Sequence, residues 1–436
     1  MVELGHMNTE LARWVTSDDA RKALARAETF ADPDSLAAAE AMRREWPAEQ
    51  AAAALTQVSL RRRAVAKFGE AAGGMFFTPD GLEQATRASV AAWRAARFRE
   101  AGVGDVVDVG CGIGSDARAF AAAGMGVTGV EADPVTAVFA EANVRGLGLG
   151  PGARVVVGLA EEVLGGRVET GDGHGDGSSG LVFLDSHVER TGQTNRPRDW
   201  QTNRPHGYDR QAMGVFVDPA RRNGRGRSWR VDDLSPSWEF CCGLLEGRVG
   251  CVKAAPGLER GLVPEGVEAC WVSDRGDLVE LSLWSGWTPG ARAAVLLPAG
   301  DRLDVDAGAA AGVGGVGAYV LEPDPAVIRS QGVDTLAGMI EGWRLAGGIA
   351  YLSGERAVDT AFGRWFEVLD VLPFDERALR AWARRERIGA VEIKVRGVGV
   401  DPAVLRRRLK LSGPESATLI VTPTVDGARA LVVRRM

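Results

Sequence analysis

The chain has 436 residues, 45% hydrophobic and 25% charged, which is a globular composition long enough for two or three domains. No apolar run reaches transmembrane length, so we expect no membrane span. The net charge of −6 argues against a protein whose whole surface is basic and binds nucleic acid. Glu3 and Glu10 stand where a secretory signal would carry basic residues, so we expect a cytoplasmic protein.

The N-terminal part is rich in Ala, Arg and Glu at helical spacing, which predicts a helical region over residues 1–95. Near its end, Thr78 and Pro79 have the pattern of an N-cap followed by proline at the first helical position. Gln84 and Thr86 are polar residues close to this helix start. We consider for both a position beside a cofactor and an ordinary place on the surface.

The most informative segment joins a strand, a glycine-rich turn and a helix. Valines on both sides of Asp108 predict a buried parallel strand, and a helical pattern begins near Asp116. Between them, Gly110, Gly112 and Gly114 allow the backbone to approach a ligand that a Cβ atom would exclude. The segment therefore predicts a ligand-binding loop, the alternative being a tight strand–helix turn and nothing more.

Acidic residues around this loop indicate which ligand it binds. The next apolar strand, 126–130, ends in Glu131, the position at which an acid usually holds the two hydroxyls of a ribose. Asp108 and Asp116 flank the loop and would repel a pyrophosphate, but they suit a ligand with an amino group and a sulfonium. These charges favour S-adenosylmethionine over a dinucleotide as the cofactor.

Apolar strands alternate with helical segments between residue 104 and about residue 297, which is the pattern of a parallel sheet with crossover helices. The predicted strands are 105–109, 127–130, 154–157, 214–217, 249–254 and 267–272. Glycine, serine and a tandem Gln-Thr-Asn-Arg-Pro repeat predict a surface insertion over about 165–212, in which 181–184 is a candidate strand. After the third strand, Ala160 and Glu161 are candidates for the adenine side of the cofactor.

An acid–proline pair follows the fourth predicted strand. Ligands of such sheets bind beyond the carboxyl ends of the strands, so Asp218 would lie beside the cofactor and Pro219 would follow it. The pair resembles a motif of methyltransferases that act on bases, although Ala220 replaces its second proline and Arg221 its aromatic residue. Asp218 would orient an acceptor N–H, while Arg221 and Arg222 would hold a phosphate. The alternative is a proline-stiffened strand end with solvent-facing arginines.

Other reactive side chains give weaker indications. Lys253, in the fifth strand, either faces the site or caps the strand. Methylation of carbon would usually need a cysteine nucleophile, but Cys241, Cys242 and Cys251 lack the sequence contexts of such enzymes, and we expect structural thiols. The five cysteines of the chain are odd in number and show no C-x-x-C spacing, so we expect neither a disulfide framework nor a metal site.

The C-terminal part differs from the rest in charge and pattern. A glycine-rich segment introduces a predicted linker and helical connector over 301–360, followed by a small α+β domain over 361–436. From Asp375 to the end there are fourteen Lys and Arg against seven Asp and Glu, so a basic terminal module follows an acidic body. Its predicted elements are a strand at 390–395, a helix at 402–410 and strands at 417–422 and 428–434.

Several segments together resemble the class I methyltransferases that carry a C-terminal THUMP-like domain, found in actinobacteria. The similar blocks lie between residue 67 and the end: KFGEAAGGMFFTPDGLEQAT, VDVGCGIGSDARAFAAAG, VFVDPARRNGRGRSW, LSPSW, VKAAPGL, EPDPAVIR and VEIKVRGVGVDPAVLRRRLKLSG. The resemblance implies an α/β fold, with a Rossmann-like methyltransferase domain over 96–300 between the N-terminal helical region and a small THUMP-like α+β domain. It implies structured RNA as the partner, because THUMP modules bind RNA, but it does not fix the acceptor atom.

The basic helix of the terminal module is the candidate RNA contact. Leu405 and Leu409 share an apolar stripe, while Arg407 and Lys410 lie on the other side, available to phosphates. The alternative is a solvated helix face.

We therefore expect an S-adenosylmethionine-dependent methyltransferase that acts on a base nitrogen of tRNA or rRNA. Alternatives are a non-catalytic RNA-binding protein with a degenerate methyltransferase fold, and a methyltransferase acting on a small molecule or a protein. The expected catalytic residues are Asp218 and Pro219, the cofactor residues Asp108, Gly110, Gly112, Gly114, Glu131, Ala160 and Glu161, and the substrate residues Arg221, Arg222, Arg407 and Lys410.

Overall fold

The structure is a computed structural model that describes residues 7–146, 152–164, 213–221 and 231–436. The predicted insertion at 165–212, with its candidate strand at 181–184, lies outside the described residues, as does Arg222. The chain divides into two compact units, the first made of 1–254, 260–267 and 283–289, the second of 255–259, 268–282 and 290–436. No helix in the described ranges is both long and apolar enough to cross a membrane.

The first unit begins with six helices: α1 (Thr9–Val15), α2 (Arg21–Glu28), α3 (Leu36–Arg43), α4 (Ala48–Phe68), α5 (Pro79–Gln84) and α6 (Ala88–Glu100). Asn8, Ser35 and Thr78 cap α1, α3 and α5, each side chain accepting a hydrogen bond from a backbone N–H of the first turn. Buried alanines of α1 to α4 let these helices approach closely, and Phe139 closes their shared core. The predicted cap and first-turn proline of α5 are therefore present in the structure.

A parallel sheet follows, formed by β1 (Asp105–Val109), β2 (Gly126–Glu131), β3 (Ala153–Val157), β4 (Met213–Val217) and β7 (Gly250–Ala254) in the order β7-β4-β1-β2-β3. Its helices are α7 (Ser115–Ala122), α8 (Pro134–Arg145), α9 (Ala160–Leu164) and α10 (Trp238–Gly243). The short strands β5 (Ala220–Arg221) and β6 (Leu234–Ser235) pair with each other in antiparallel fashion.

The register of this sheet decides where the functional side chains lie. Val109 is paired with Val130 on one side and with Val217 on the other, and Val217 is paired with Val252. Because all of these pairings are parallel, the residues that follow the strands meet at one edge of the sheet. The glycine loop, the acidic end of β2 and the residues after β4 are thus brought together.

The second unit contains β8 (Glu268–Asp274), β10 (Arg292–Leu297) and β11 (Asp301–Asp304), with β10 parallel to β8 and antiparallel to β11. The strand β9 (Asp277–Ser285) belongs to the second unit up to residue 282 and to the first from residue 283.

A seven-stranded sheet forms the rest of the second unit. Its strands are β12 (Tyr319–Pro323), β13 (Trp343–Arg344), β14 (Leu352–Gly354), β15 (Gly363–Pro373), β16 (Ile388–Val395), β17 (Glu415–Thr424) and β18 (Gly427–Arg435), in the order β13-β14-β12-β15-β18-β17-β16. The helices α13 (Glu376–Arg385) and α14 (Pro402–Leu409) contribute Leu379, Trp382, Leu405 and Leu409 to a core with β16, β17 and β18.

Residues 301–360 differ from the predicted linker and helical connector. Two short helices, α11 (Pro325–Ser330) and α12 (Val333–Met339), are present, but β12, β13 and β14 place this stretch in the same sheet as the C-terminal strands. These strands have five, two and three residues, so they are too short to show a period-2 pattern among the surrounding glycines and prolines.

Candidate active site

The loop after β1 has a conformation that requires glycine. Gly110 and Gly112 have φ values of +73° and +54°, which L side chains rarely adopt. A Cβ on Gly110 would lie 2.6 Å from the carbonyl oxygen of Asp218, whereas a Cβ on Gly112 would meet no described atom within 4 Å. The loop is therefore closely packed at its first glycine and open at its second, and Gly114, also at positive φ, leads into α7.

Glu131 joins the end of β2 to the glycine loop. One of its carboxylate oxygens accepts a hydrogen bond from the Gly112 N–H at 2.9 Å, and the other accepts one from the Asp133 N–H at 2.9 Å. Burial raises the pKa of this carboxyl group, and the backbone hydrogen bonds partly oppose that rise. A carboxylate has about four acceptor positions, so Glu131 can still accept two hydroxyl groups from a ligand.

Asp108 lies wholly buried beneath the loop. Neither of its carboxylate oxygens makes a well-formed hydrogen bond within the described part of the chain. Burial, followed by the charges of Asp116 and Asp218, raises its pKa well above the usual range. The Asp108 side chain is therefore not exposed for the predicted direct contact with the cofactor. Its carboxyl group can influence a ligand only from beneath the loop.

The Asp116 side chain does not face the ligand-binding loop as we expected. Its carboxylate forms a buried ion pair with Arg94 of α6. The Arg94 guanidinium also lies over the Phe216 ring, 4.2 Å from its centroid. Asp116 occupies the first turn of α7, where its side chain turns inward toward α6.

Asp218 follows β4 at the same edge of the sheet. Its backbone N–H donates to the Val109 carbonyl at 3.0 Å, which fixes it to the end of β1. The Lys253 ammonium lies 2.7 Å from Asp218 Oδ2 and 3.2 Å from the Thr86 hydroxyl. Burial raises the pKa of Asp218, while Lys253 opposes the rise. Pro219, half-buried, follows at the same edge.

Lys253 and Thr86 meet beside Asp218, a contact that the sequence analysis did not predict. The sequence placed Lys253 at a strand end and Thr86 near a helix start, without a relation between them. Their meeting depends on β7 lying next to β4, with Val252 opposite Val217. Strand order of this kind is not visible in one sequence. Gln84, considered together with Thr86, is exposed at the end of α5.

Ala160 and Glu161 begin α9, close to the end of β2. The Gly158 N–H donates to the Glu131 carbonyl at 3.0 Å, which brings this turn beside Glu131. Ala160 is buried, and Glu161 Oε1 accepts a long hydrogen bond of 3.4 Å from the N–H of Ser237, the cap of α10. Arg221 lies in β5. The Arg221 side chain and the whole of Arg222 lie outside the part of the chain that the structure describes.

In the second unit, α14 has the predicted division of faces. Leu405 and Leu409 are buried, and Arg407 and Lys410 are exposed, with no hydrogen bond or ion pair to their side chains in the described chain. The helix ends at Leu409, because Lys410 adopts the left-handed conformation at φ 51°. Its other arginines are engaged: Arg406 bonds the Val391 carbonyl, and Arg408 lies 3.7 Å from Glu376.

A parallel sheet with a glycine loop after its first strand, an acid at the end of its second and an acid–proline pair after its fourth defines a class I methyltransferase domain. Comparison with known proteins agrees. An uncharacterized S-adenosylmethionine-dependent methyltransferase of Mycobacterium tuberculosis H37Rv is 32% identical over 375 residues, covering 83% of this chain and 90% of the relative. The protein of the same description in strain CDC 1551 matches equally.

Other matches describe the ends and the fold. A family described as THUMP domain-like matches residues 363–435, and a domain family of unknown function matches residues 8–64. A solved structure from Porphyromonas gingivalis W83, described as a candidate methyltransferase, is 21% identical with a TM-score of 0.69, covering 98% of this chain and 97% of that one.

The chain belongs to the family of S-adenosylmethionine-dependent methyltransferases represented by the mycobacterial relatives. The predicted enzyme class, cofactor, methyltransferase fold and C-terminal THUMP-like domain are thereby confirmed.

Proposed function

We propose that this enzyme methylates a base nitrogen of structured RNA, a tRNA or an rRNA, in the cytoplasm, and that Asp218 orients the acceptor. One observation carries the proposal. The Asp218 carboxylate is fixed at the open edge of the sheet, and no described group donates a hydrogen bond to its Oδ1. An oxygen held in this way can accept a hydrogen bond from an N–H group of a substrate.

The residues around the glycine loop fit the cofactor. Bound S-adenosylmethionine supplies an electrophilic methyl group on a positively charged sulfur. Gly110, Gly112 and Gly114 would let the backbone approach it, and Glu131 would hold its ribose hydroxyls. Ala160 and Glu161 would border the adenine, and the positive charge of the cofactor would favour ionisation of Asp108 beneath the loop.

Asp218 and Pro219 would act on the acceptor. Methyl transfer is an in-line displacement that depends on alignment more than on a strong base. The Asp218 carboxylate would accept a hydrogen bond from the acceptor N–H and direct the nitrogen lone pair, and it can then take the proton that leaves the nitrogen. Pro219 fixes the backbone φ next to this carboxylate.

The substrate class is supported by the second unit. The THUMP-like match covers residues 363–435, and the exposed Arg407 and Lys410 lie within it. Together with Arg221 and Arg222 after β4, they would contact phosphates. These cations favour RNA over a small molecule or a protein as the substrate.

The test compares RNA nucleosides of a strain that lacks the gene with those of its parent by mass spectrometry. We expect one methylated base to be absent, and purified enzyme with S-adenosylmethionine to restore it on RNA from that strain. Asp218→Ala should slow this restoration on the order of a hundredfold while keeping its calorimetric affinity for S-adenosylmethionine.

Asp19→Ala, the same substitution at an exposed residue of the N-terminal helices, serves as the control and should restore the base normally. Identical RNA nucleosides in the two strains, with methyl groups missing from proteins or metabolites, would overturn the RNA assignment. Full activity of Asp218→Ala would leave the acid–proline pair a structural role only.

A further inference from the structure

The inference concerns three side chains from separate elements that meet at the acceptor edge of the first unit. Thr86 lies between α5 and α6, Lys253 lies in β7, and Asp218 follows β4. The register that pairs Val217 with Val252 places Asp218 and Lys253 side by side, each one residue further along its strand. The contact is thus dictated by the sheet and does not depend on a flexible loop.

The geometry of these three side chains is that of a clamp. Lys253 Nζ donates to Asp218 Oδ2 at 2.7 Å and to Thr86 Oγ1 at 3.2 Å, and the Thr86 residue is buried. The side chains of Lys253 and Asp218 are 19% and 29% exposed, so water screens this pair less than a surface ion pair. Thr86 holds the ammonium, and the ammonium holds one oxygen of the carboxylate.

Charges around the clamp explain why the carboxylate needs a dedicated cation. The nearby carboxylate of Asp116 disfavours the charge of Asp218, and the charge of Asp218 in turn raises the pKa of Asp108. Arg94 forms an ion pair with Asp116, and among the described contacts Lys253 is the cation that binds Asp218 directly. The charged and titratable groups that face the pair come from α4, α6, α7, β1 and α10: Lys67, Arg94, Asp116, Asp108 and Cys241.

We propose that Lys253, anchored by Thr86, is a positioning residue for methyl transfer: it fixes the Asp218 carboxylate and keeps it ionised, leaving Oδ1 for the acceptor. The proposal rests on the proposed role of Asp218. Removing Lys253 would free the carboxylate to rotate and would raise the pKa of Asp218. A larger fraction would then be protonated, which makes the group a weaker hydrogen-bond acceptor and leaves it unable to take the proton from the acceptor nitrogen.

The first measurement needs no RNA. In protein labelled with ¹³C at the aspartate carboxyl groups, the Asp218 signal is identified by its loss in Asp218→Asn, and its pKa is followed by NMR titration. Lys253→Met should raise the pKa of Asp218 by about 1 unit or more, and Lys253→Arg should restore most of the wild-type value. Lys22→Met, the same substitution at an exposed lysine of α2, is the matched control and should change nothing.

The second measurement is the pH–rate profile with RNA from the deletion strain. Lys253→Met should lower kcat roughly tenfold or more and move the acidic limb to higher pH, with unchanged calorimetric affinity for S-adenosylmethionine. If Lys253→Met does not fold, Thr86→Val tests the anchor, with a smaller shift in the same direction. An unchanged Asp218 titration in a folded Lys253→Met or Thr86→Val protein overturns the clamp. Absence of RNA methylation by the wild type contradicts only the proposed function, because the titration is independent of substrate.

Discussion

At the scale of single residues, the site is governed by an imbalance of buried charge. Three carboxyl groups, those of Asp108, Asp116 and Asp218, influence one another in the interior. Two of them have cations in contact, Arg94 and Lys253. Within the described residues Asp108 has no cation in contact, and its pKa is raised well above the usual range, so ionisation of its carboxyl group is costly.

This imbalance predicts how stability depends on pH. The folded-state pKa of Asp108 is raised above its unfolded value, so the folded protein binds more protons at intermediate pH. The free energy of unfolding should therefore fall as pH rises from the ordinary carboxyl range to the raised pKa, by at most about 1.4 kcal/mol per pH unit for one proton. Asp108→Asn should remove one proton's share of this slope in urea unfolding measured at several pH values.

The contrasting variant is Asp116→Asn, which leaves the Arg94 guanidinium buried without its carboxylate. We expect it to lose about 3–5 kcal/mol of stability near neutral pH. Equal slopes in Asp108→Asn and the wild type would show that Asp108 does not titrate differently on folding.

Residue types at strand ends were predictable, but their contacts were not. Glu131 and Asp218 could be selected because an acid directly follows or ends an apolar strand. The turn of Asp116 toward Arg94 was not predictable, because these residues lie 22 positions apart and meet only when α6 packs against α7.

At the scale of elements, the glycine loop is fixed by its contact with the end of β4, where Asp218 lies. Gly110 combines a positive φ with close approach to the Asp218 carbonyl oxygen. Gly102, which follows α6, has nearly the same φ, +76°, but a Cβ there would meet no described atom within 4 Å. Alanine substitutions at these two glycines therefore distinguish the cost of a positive φ from the cost of a steric clash of the new Cβ atom.

Gly102→Ala should lose only the conformational term, about 1 kcal/mol of unfolding free energy. Gly110→Ala should lose about 2–4 kcal/mol, because its Cβ must also displace the backbone at Asp218. Urea unfolding measures both. Calorimetry should show weakened S-adenosylmethionine binding for Gly110→Ala alone. Equal losses in the two variants would mean that the loop moves away from Asp218 at little cost.

Apolar strands within the alternating strand–helix pattern were predicted, and the strands between residues 319 and 354 were not. The predicted strands 105–109, 154–157 and 214–217 agree with β1, β3 and β4 within one residue. The strand β12 likewise has consecutive buried residues, Val320 and Leu321, but it follows a glycine-rich segment that predicts a linker. Its place in a sheet depends on distant partners, β14 and β15, which local patterns do not contain.

At the scale of the whole molecule, charge is divided unequally along the chain. The net charge is −6, yet the residues from Asp375 onward carry an excess of seven positive charges. Most arginines of α13 and α14 have carboxylate or carbonyl partners, such as Arg380 with Glu376. Local charge therefore overstates the number of cations available to RNA. Arg407 and Lys410 are exposed and have no partner among the described contacts, as is also true of Arg377 and Arg384 in α13.

This availability predicts the salt dependence of RNA binding. Each phosphate contact releases counterions, so the logarithm of affinity falls with the logarithm of salt concentration by about 0.7–0.9 per contact. The double variant Arg407→Gln/Lys410→Gln should bind total tRNA roughly tenfold more weakly at low salt, with a slope shallower by about 1.5. Filter binding at several salt concentrations measures both, and S-adenosylmethionine affinity should stay unchanged.

The matched control is Arg43→Gln/Arg44→Gln, which removes the same two charges from exposed positions at the end of α3. Long-range attraction depends on net charge and would weaken equally in the two double variants, whereas direct contact would weaken only with the α14 variant. Equal slopes in the two variants would therefore place the RNA contact elsewhere on the protein. A slope that changes only with Arg407 and Lys410 would identify α14 as the surface through which the THUMP-like domain holds its RNA.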